Sequence, residues 1–149
     1  MVYIFINNED EYVGEAETWD PESGENAVTI KTINRLEKSL PVVEGPTIEE
    51  EYKVNLHFKT EPRFVSEMVS SLWDDNMSDE YTNAIIGDKI GGTPCFIQAD
   101  GFTEGDGWKL LLQIDSPPFY INFGDGGIGF VFINKNYSQG NFYGNVNNS

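Results

Sequence analysis

The sequence has little cysteine, few basic residues and no long apolar run, and each shortage excludes a class of protein. Cys95 is the single cysteine among 149 residues, which excludes an internal disulfide and a cysteine-cluster metal site. A chain without disulfides needs no oxidising compartment, so we expect a cytoplasmic protein. No run approaches the roughly 20 apolar residues of a membrane span. The first ten residues also lack the basic start of a signal peptide.

Basic residues are scarce relative to acidic ones. Nine Lys and Arg stand against 25 Asp and Glu, for a formal net charge of −16. Nucleic acids and anionic membranes are themselves polyanions, so we expect neither as a partner. Residues 1–75 carry 17 of the acidic and six of the basic residues, with a dense run at Glu49, Glu50 and Glu51. This charge indicates either a solvated surface that maintains solubility or a negative face that attracts a basic protein.

The aromatic content excludes a disordered acidic tail. Ten Phe, seven Tyr and three Trp supply enough apolar surface for a hydrophobic core. A chain of this length buries roughly 70% of its unfolded surface on folding. We therefore expect a single domain over residues 1–149. Its oligomeric state is left open, because the charge opposes self-association without forbidding it.

Several short segments are rich in β-branched and aromatic residues and are bounded by turn-forming residues, which is typical of strands. They are Val2 to Ile6, Ala27 to Ile33, Cys95 to Ala99, Trp108 to Ile114, Phe119 to Phe123 and Ile128 to Ile133. Tyr12 to Trp19 is a candidate hairpin partner for the first of these. The connections in the C-terminal half are too short for parallel crossovers, so we expect antiparallel pairing.

Two further patterns complete the expected architecture. Residues 52–58 alternate apolar and polar side chains, which predicts a half-buried strand. Paired apolar residues recur every four positions after Pro62, which predicts the main helix at about 64–74. A second short helix is expected from Asp79 to Ile85. The expected fold class is α+β, rich in mostly antiparallel sheet.

Three blocks of sequence resemble, in the same order, the YwqG-like family of uncharacterised bacterial proteins. They lie at residues 89–98, 110–116 and 123–133, and include Lys89-Ile90-Gly91-Gly92-Thr93-Pro94 and Phe123-Gly124-Asp125-Gly126-Gly127. Residues 51–149 form the family-like core, whereas the acidic residues 1–50 contain no recognisable family motif. The resemblance implies a β-rich α+β domain and no established activity.

The polar residues within these blocks have a structural and a functional interpretation. Gly91-Gly92 before Pro94 is typical of a turn leading into an extended chain; a phosphate-binding loop would require a helix to follow. Gln98 and Gln113 lie on apolar strands, and we expect them to bond to each other or to backbone rather than to a ligand. Asp115 and Asp125 follow strand ends, where aspartate commonly forms an Asx-turn.

The remaining candidates for catalysis or metal binding are few. Acidic residues at Asp88, Asp100, Asp106, Asp115 and Asp125 could supply oxygen ligands, but the spacing matches no calcium loop, and one histidine excludes the usual zinc sets. We expect no cofactor and no specific metal. His57 is expected on the surface, and Cys95 is expected to be a buried, inert thiol. A hydrolase with paired carboxylates stays open, because the spatial separation of the acids is not visible in sequence.

Three functions are compatible with these features. The first, which we favour, is a non-catalytic acidic module that binds a basic protein, as an immunity or antitoxin protein does, with Glu49, Glu50 and Glu51 as candidate contacts. The second is a small-molecule-binding or hydrolytic domain that uses Asp88, Asp115 and Asp125 near Gly91-Gly92, with Gln98 and Gln113. The third is a housekeeping domain without a small ligand.

Overall fold

The computed structural model describes residues 1–6, 20, 22–24, 26–31, 53–64, 79–97, 107–115, 121, 123 and 127–145. Within these ranges the protein has one helix and six strands. They are β1 (Val2–Phe5), β2 (Ala27–Ile30), α1 (Asp79–Ile85), β3 (Lys89–Ile90), β4 (Trp108–Asp115), β5 (Ile128–Asn134) and β6 (Gly140–Asn145). Every strand pair is antiparallel. The predicted α+β class, rich in antiparallel sheet, is confirmed.

Strand β5 is the centre of a four-stranded sheet with the order β3-β4-β5-β6. All its residues from Ile128 to Ile133 are buried, because both faces of the sheet are covered. The position of Gly129 has room for no side chain: a Cβ atom there would lie 2.7 Å from the ring of Phe123. Glycine at this point therefore lets an aromatic ring lie directly across the central strand.

The two faces of this sheet hold separate apolar clusters. On one face, Leu110, Ile128, Phe130 and Phe132 pack with Phe96 and Ile97. On the other face, Ile114, Val131 and Phe142 pack with Phe123 and with side chains of the β1–β2 hairpin, such as Ile4 and Val28. The hairpin thus forms a second layer over the sheet, and the segment before β4 covers the opposite face.

A β-bulge in β4 decides which residues of that strand face each cluster. Leu110 pairs with Phe132, but Leu112 pairs with Val131, so Leu111 is an extra residue. After an insertion of one residue the alternation of side chains is reversed. As a result Gln113 lies opposite Phe130, on the face covered by residues 93–97. Without the bulge, its side chain would point to the hairpin side.

Most of the predicted elements that the structure describes are present. The strands predicted at 2–6, 27–33, 108–114 and 128–133 correspond to β1, β2, β4 and β5, and the second helix matches α1. Strand β1 pairs with β2; Tyr12 to Trp19, the expected partner, lies outside the described residues. The main helix predicted at about 64–74 also lies outside them, apart from Phe64, which is not helical.

Three strand predictions are wrong for the residues that the structure describes. Residues 53–58 are in no strand, and their apolar side chains are exposed, so the alternation is present without a neighbouring strand to bury it. Residues 95–97 are buried but lie in no strand, because Pro94 lacks a backbone donor and the amide of Cys95 bonds to a side chain instead. Ile121 and Phe123 also lie outside any strand.

Candidate functional site

The clearest polar cluster joins the stretch before α1 to the turn after β3. We call it the Glu61–Lys89 cluster; it comprises Glu61, Pro62, Ile85, Lys89, Gly92 and Thr93. Its centre is an ion pair in which Lys89 Nζ lies 3.1 Å from Glu61 Oε2. The two side chains are only 12% and 11% exposed, so the pair is largely removed from water. An ion pair in such a place must satisfy its own hydrogen bonds.

Lys89 does so through several acceptors. Its ammonium donates to both carboxylate oxygens of Glu61 and to the backbone carbonyls of Ile85 and Thr93. Ile85 is the last residue of α1, where helix carbonyls lack intrahelical partners and carry partial negative charge. The lysine therefore caps the helix and holds the following turn at the same time.

Glu61 and Thr93 complete the cluster. The Thr93 amide donates to Glu61 Oε2 at 2.9 Å, and the Thr93 hydroxyl donates to the carbonyl of Pro62 at 2.5 Å. Close by, the Tyr81 hydroxyl donates to the carbonyl of Arg63 at 3.3 Å. These contacts fasten residues 61–63 to α1 and to the turn that follows β3.

The two glycines of that turn have the positive φ that the sequence predicts. The φ angles are +74° at Gly91 and +86° at Gly92. At Gly92 an added Cβ would lie 2.3 Å from Glu61 Oε2, whereas at Gly91 it would meet nothing within 4 Å. Gly91 is bound to the sheet by its amide, which donates to the Leu111 carbonyl at 2.9 Å. The absence of a side chain at Gly92 thus leaves the space that the Glu61 carboxylate occupies.

Burial alters the pKa of two groups next to each other. Burial lowers the pKa of Lys89, and this outweighs the hydrogen bond and charge of Glu61, which act in the opposite direction. Burial also raises the pKa of Cys95 to about 11, against the opposing effect of the Lys89 charge. The thiol is therefore protonated at neutral pH, and a protonated thiol is a poor nucleophile. The prediction of a buried Cys95 is confirmed.

Gln113 is fully engaged within the fold. Its side chain is 1% exposed, and its Oε1 accepts the amide of Cys95 at 2.8 Å. Its Nε2 donates to the carbonyls of Gly87 at 2.8 Å and Ile85 at 3.3 Å. The side chain of Gln113 thus binds only backbone groups, those of Ile85, Gly87 and Cys95, which agrees with the predicted bonding to backbone.

The structure also brings Asp88 and Asp115 together. Asp88 Oδ1 accepts the backbone amide of Asp115 at 2.7 Å, across the pair formed by β3 and β4. The Asp88 carboxylate thus holds the end of β4. In the described part of the chain no three His, Cys, Asp or Glu side chains are grouped closely enough to hold a metal ion.

Other predicted contact residues cannot be placed in this geometry. Glu49, Glu50, Glu51, Gln98 and Asp125 lie outside the described residues. His57 is exposed, as expected. No role for Glu61 or Thr93 is visible in the sequence alone. The Glu61-Pro62 pair lies 28 residues before Lys89, and the sequence does not specify that the side chains of Glu61 and Lys89 meet.

The fold and the cluster define a β-rich α+β protein whose best-defined polar residues bind one another. The chain belongs to the family described as "Domain of unknown function (DUF1963)", whose model matches residues 1–146. That match includes residues 1–50, where no family motif was recognised. No curated protein and no solved structure matches the chain. Among the described residues no helix is both long and apolar enough to cross a bilayer.

Proposed function

We propose that this protein is a non-catalytic module that binds a basic protein through its acidic surface, in the manner of an immunity or antitoxin protein. The observation that carries the proposal is the charge of −16 on 149 residues, with 17 of the 25 acids in residues 1–75. A field of this size raises the association rate with a basic partner and suppresses binding to acidic ones. The run Glu49, Glu50 and Glu51 is its densest part near the family-like core.

The contacts of the motif residues support a binding role over a catalytic one. Gln113 and Asp88 make their hydrogen bonds to other parts of the chain. The ammonium of Lys89 is surrounded by its own acceptors, and the thiol of Cys95 is protonated at neutral pH. A catalytic group requires instead a free face toward a substrate.

We further propose that the chain is YwqG-like, on the three sequence blocks at 89–98, 110–116 and 123–133. As for that family, we propose a bacterial source, and we also propose a cytoplasmic location. The location is supported by the single cysteine, which is a free thiol buried beside Lys89 and Ile85. Fractionation of the source cells, with detection of the endogenous chain, tests the location.

A salt-dependent capture experiment tests the binding role. The full chain is immobilised and exposed to lysate of its own organism at low and high salt. We expect a basic protein to be retained at low salt and released at high salt, because salt screens exposed charges. The triple variant Glu49→Gln, Glu50→Gln and Glu51→Gln should retain less of it.

A control variant separates position from net charge. Asp100→Asn, Glu104→Gln and Asp106→Asn together remove the same three charges from the C-terminal half and should leave capture close to wild type. Equal loss in both variants would show that only net charge matters. No basic protein retained at either salt concentration would contradict the proposal.

A small-molecule or hydrolytic role is the second candidate, favoured by one observation. The Asp88 carboxylate accepts the backbone amide of Asp115, and Asp88 precedes the Gly91-Gly92 turn by three residues, while Asp125 lies in the third sequence block. Asp125→Asn is the useful test, since Asp88→Asn would also weaken the contact to the Asp115 amide. A ligand that raises the melting temperature of wild type and not of Asp125→Asn would support this role. A set of anionic and neutral metabolites with no such shift would count against it.

A further inference from the structure

Residues 53–60, which we call the exposed segment, have no hydrogen-bonding partner in the described part of the chain. All eight side chains are exposed, and the backbone forms neither helix, strand, turn nor bend. No hydrogen bond of the described residues involves this segment. Within the described residues nothing pairs with its backbone N–H and C=O groups, so they are available to pair with another chain.

The side chains of the exposed segment alternate as those of a strand do. In extended conformation Val54, Leu56 and Phe58 share one face. Val54 and Leu56 are 62% and 63% exposed, and Phe58 is fully exposed. Isolated exposed apolar side chains are common on protein surfaces. Three of them at period two, beside an unpaired backbone, are typical of a strand without its neighbour.

The other face of the exposed segment is positively charged, whereas the molecule as a whole is negatively charged. It carries Lys53, Asn55, His57 and Lys59, and the segment contains no acidic residue, although the chain has 25. The positive charge of Lys59 also acts on the Glu61–Lys89 cluster, where it helps to lower the pKa of Lys89. The local charge of this face therefore favours an acidic neighbour.

The exposed segment is held firmly at its C-terminal end. Residues 61–63 bind to the Glu61–Lys89 cluster and to Tyr81, and the ring of Phe64 packs edge-on against Phe96 at 6.2 Å. A segment anchored at one end has less conformational freedom to lose on binding. The anchor also fixes where on the molecule a bound chain would start.

We propose that the exposed segment is a docking strand for an extended segment of another protein in which apolar residues alternate with Asp or Glu. The bound chain pairs with the backbone as an added strand, packs its apolar side chains on Val54, Leu56 and Phe58, and places its carboxylates beside Lys53 and Lys59. This surface and its acidic partner differ from the acidic surface and basic partner proposed above, so an experiment can disprove either proposal without affecting the other.

A second copy of the chain fits this surface less well. Antiparallel self-pairing about Leu56 would set Lys53 opposite Lys59 at both ends, and like charges in directly opposed positions are destabilising. Each copy also carries a net charge of −16, which opposes association at low salt.

Two labelled peptides test the proposal with the full chain. In both, Val, Ile and Phe alternate with four charged residues, which are Glu in one peptide and Lys in the other. The net charge of −16 would attract the Lys peptide, so recognition by the exposed segment predicts the reverse order. We expect the Glu peptide to bind at least about tenfold more tightly in fluorescence anisotropy at moderate salt. It should also slow backbone hydrogen exchange within residues 53–60.

Variants locate the binding. Lys53→Glu with Lys59→Glu should abolish the preference for the Glu peptide, whereas Lys109→Glu with Lys135→Glu changes the net charge equally and should preserve it. Leu56→Pro removes a backbone donor and should weaken binding at least about tenfold. Preference for the Lys peptide, or an unchanged preference in the first variant, would overturn the proposal. A dimer in ultracentrifugation that Leu56→Pro abolishes would overturn it in favour of a second copy.

Discussion

Gly91 and Gly92 have similar backbone angles but different surroundings, and this difference defines the turn at the scale of single residues. Both have positive φ, which costs an L-residue roughly 1–2 kcal/mol. Only at Gly92 does a neighbour, the Glu61 carboxylate, occupy the space that a side chain would need. Gly91 is thus required for its backbone angle alone, whereas Gly92 is required both for its backbone angle and for the space that the Glu61 carboxylate fills.

The pair offers a matched experiment. Gly91→Ala should lower the free energy of unfolding by roughly 1 kcal/mol through backbone strain alone. Gly92→Ala should cost at least about 1 kcal/mol more, because Glu61 must move away from Lys89 and Thr93. Urea unfolding of both variants measures the difference. Equal losses would show that the carboxylate can shift at no cost.

Cys95 is the second residue whose surroundings decide its chemistry. Its folded-state pKa of about 11 lies above the ordinary thiol value of 9.0. Between pH 9 and 11 the unfolded chain therefore releases the thiol proton first, and this group makes the protein less stable as the pH rises. In urea unfolding, the free energy of unfolding of Cys95→Ala should fall less between pH 9 and 11 than that of wild type.

Reactivity gives an independent measure of the same burial. Iodoacetamide should modify Cys95 in the folded protein at pH 8 far more slowly than in urea, because the thiol is both protonated and enclosed. Rapid modification of the folded protein would contradict this account.

At the scale of elements, the Glu61–Lys89 cluster ties the stretch before α1 to β3 and its turn. Removing one partner of a largely buried ion pair leaves an uncompensated charge, which typically costs roughly 3–5 kcal/mol; the slight exposure of this pair favours the lower end. Glu61→Gln should therefore destabilise the protein by about 3 kcal/mol. The double variant Glu61→Gln with Lys89→Met should be more stable than Glu61→Gln alone, because it buries no unpaired ammonium.

A double-mutant cycle in urea unfolding, with both single variants and the double variant, checks this prediction. Strictly additive losses would indicate that the two groups do not interact across 3.1 Å. The restored stability of the double variant is the outcome that a purely local packing defect would not produce.

The bulge at Leu111 shows how an element acquires a role that its sequence does not display. Residues 108–114 were correctly predicted as a strand, but strict alternation would place Gln113 with the residues facing the β1–β2 hairpin. The extra residue reverses the alternation and lets Gln113 bind Cys95 and Gly87. A bulge depends on pairing with the neighbouring strand, so the sequence of β4 alone cannot specify it.

Charge is the property that belongs to the whole molecule. The like charges that make up the net charge of −16 repel one another more strongly in the compact native state than in the expanded, unfolded state. Added NaCl, up to a few tenths molar, should therefore raise the midpoint of urea unfolding, because it shortens the range of the repulsion. The variant Glu49→Gln, Glu50→Gln and Glu51→Gln should show a smaller rise, since fewer like charges are left to screen. A midpoint that falls with salt would mean that attractive pairs dominate.

The sequence by itself determined the fold class, four of the six strands, helix α1 and the acidic character, because these follow from local composition and short-range periodicity. It also indicated that Gly91-Gly92 form a turn. Only the tertiary structure decided that Lys89 meets Glu61, that Gln113 accepts the amide of Cys95, and that the alternating residues 53–60 have no strand beside them in the described part of the chain. Each of these depends on contact between residues far apart in the chain, and local periodicity contains no information about which distant segment becomes the neighbour.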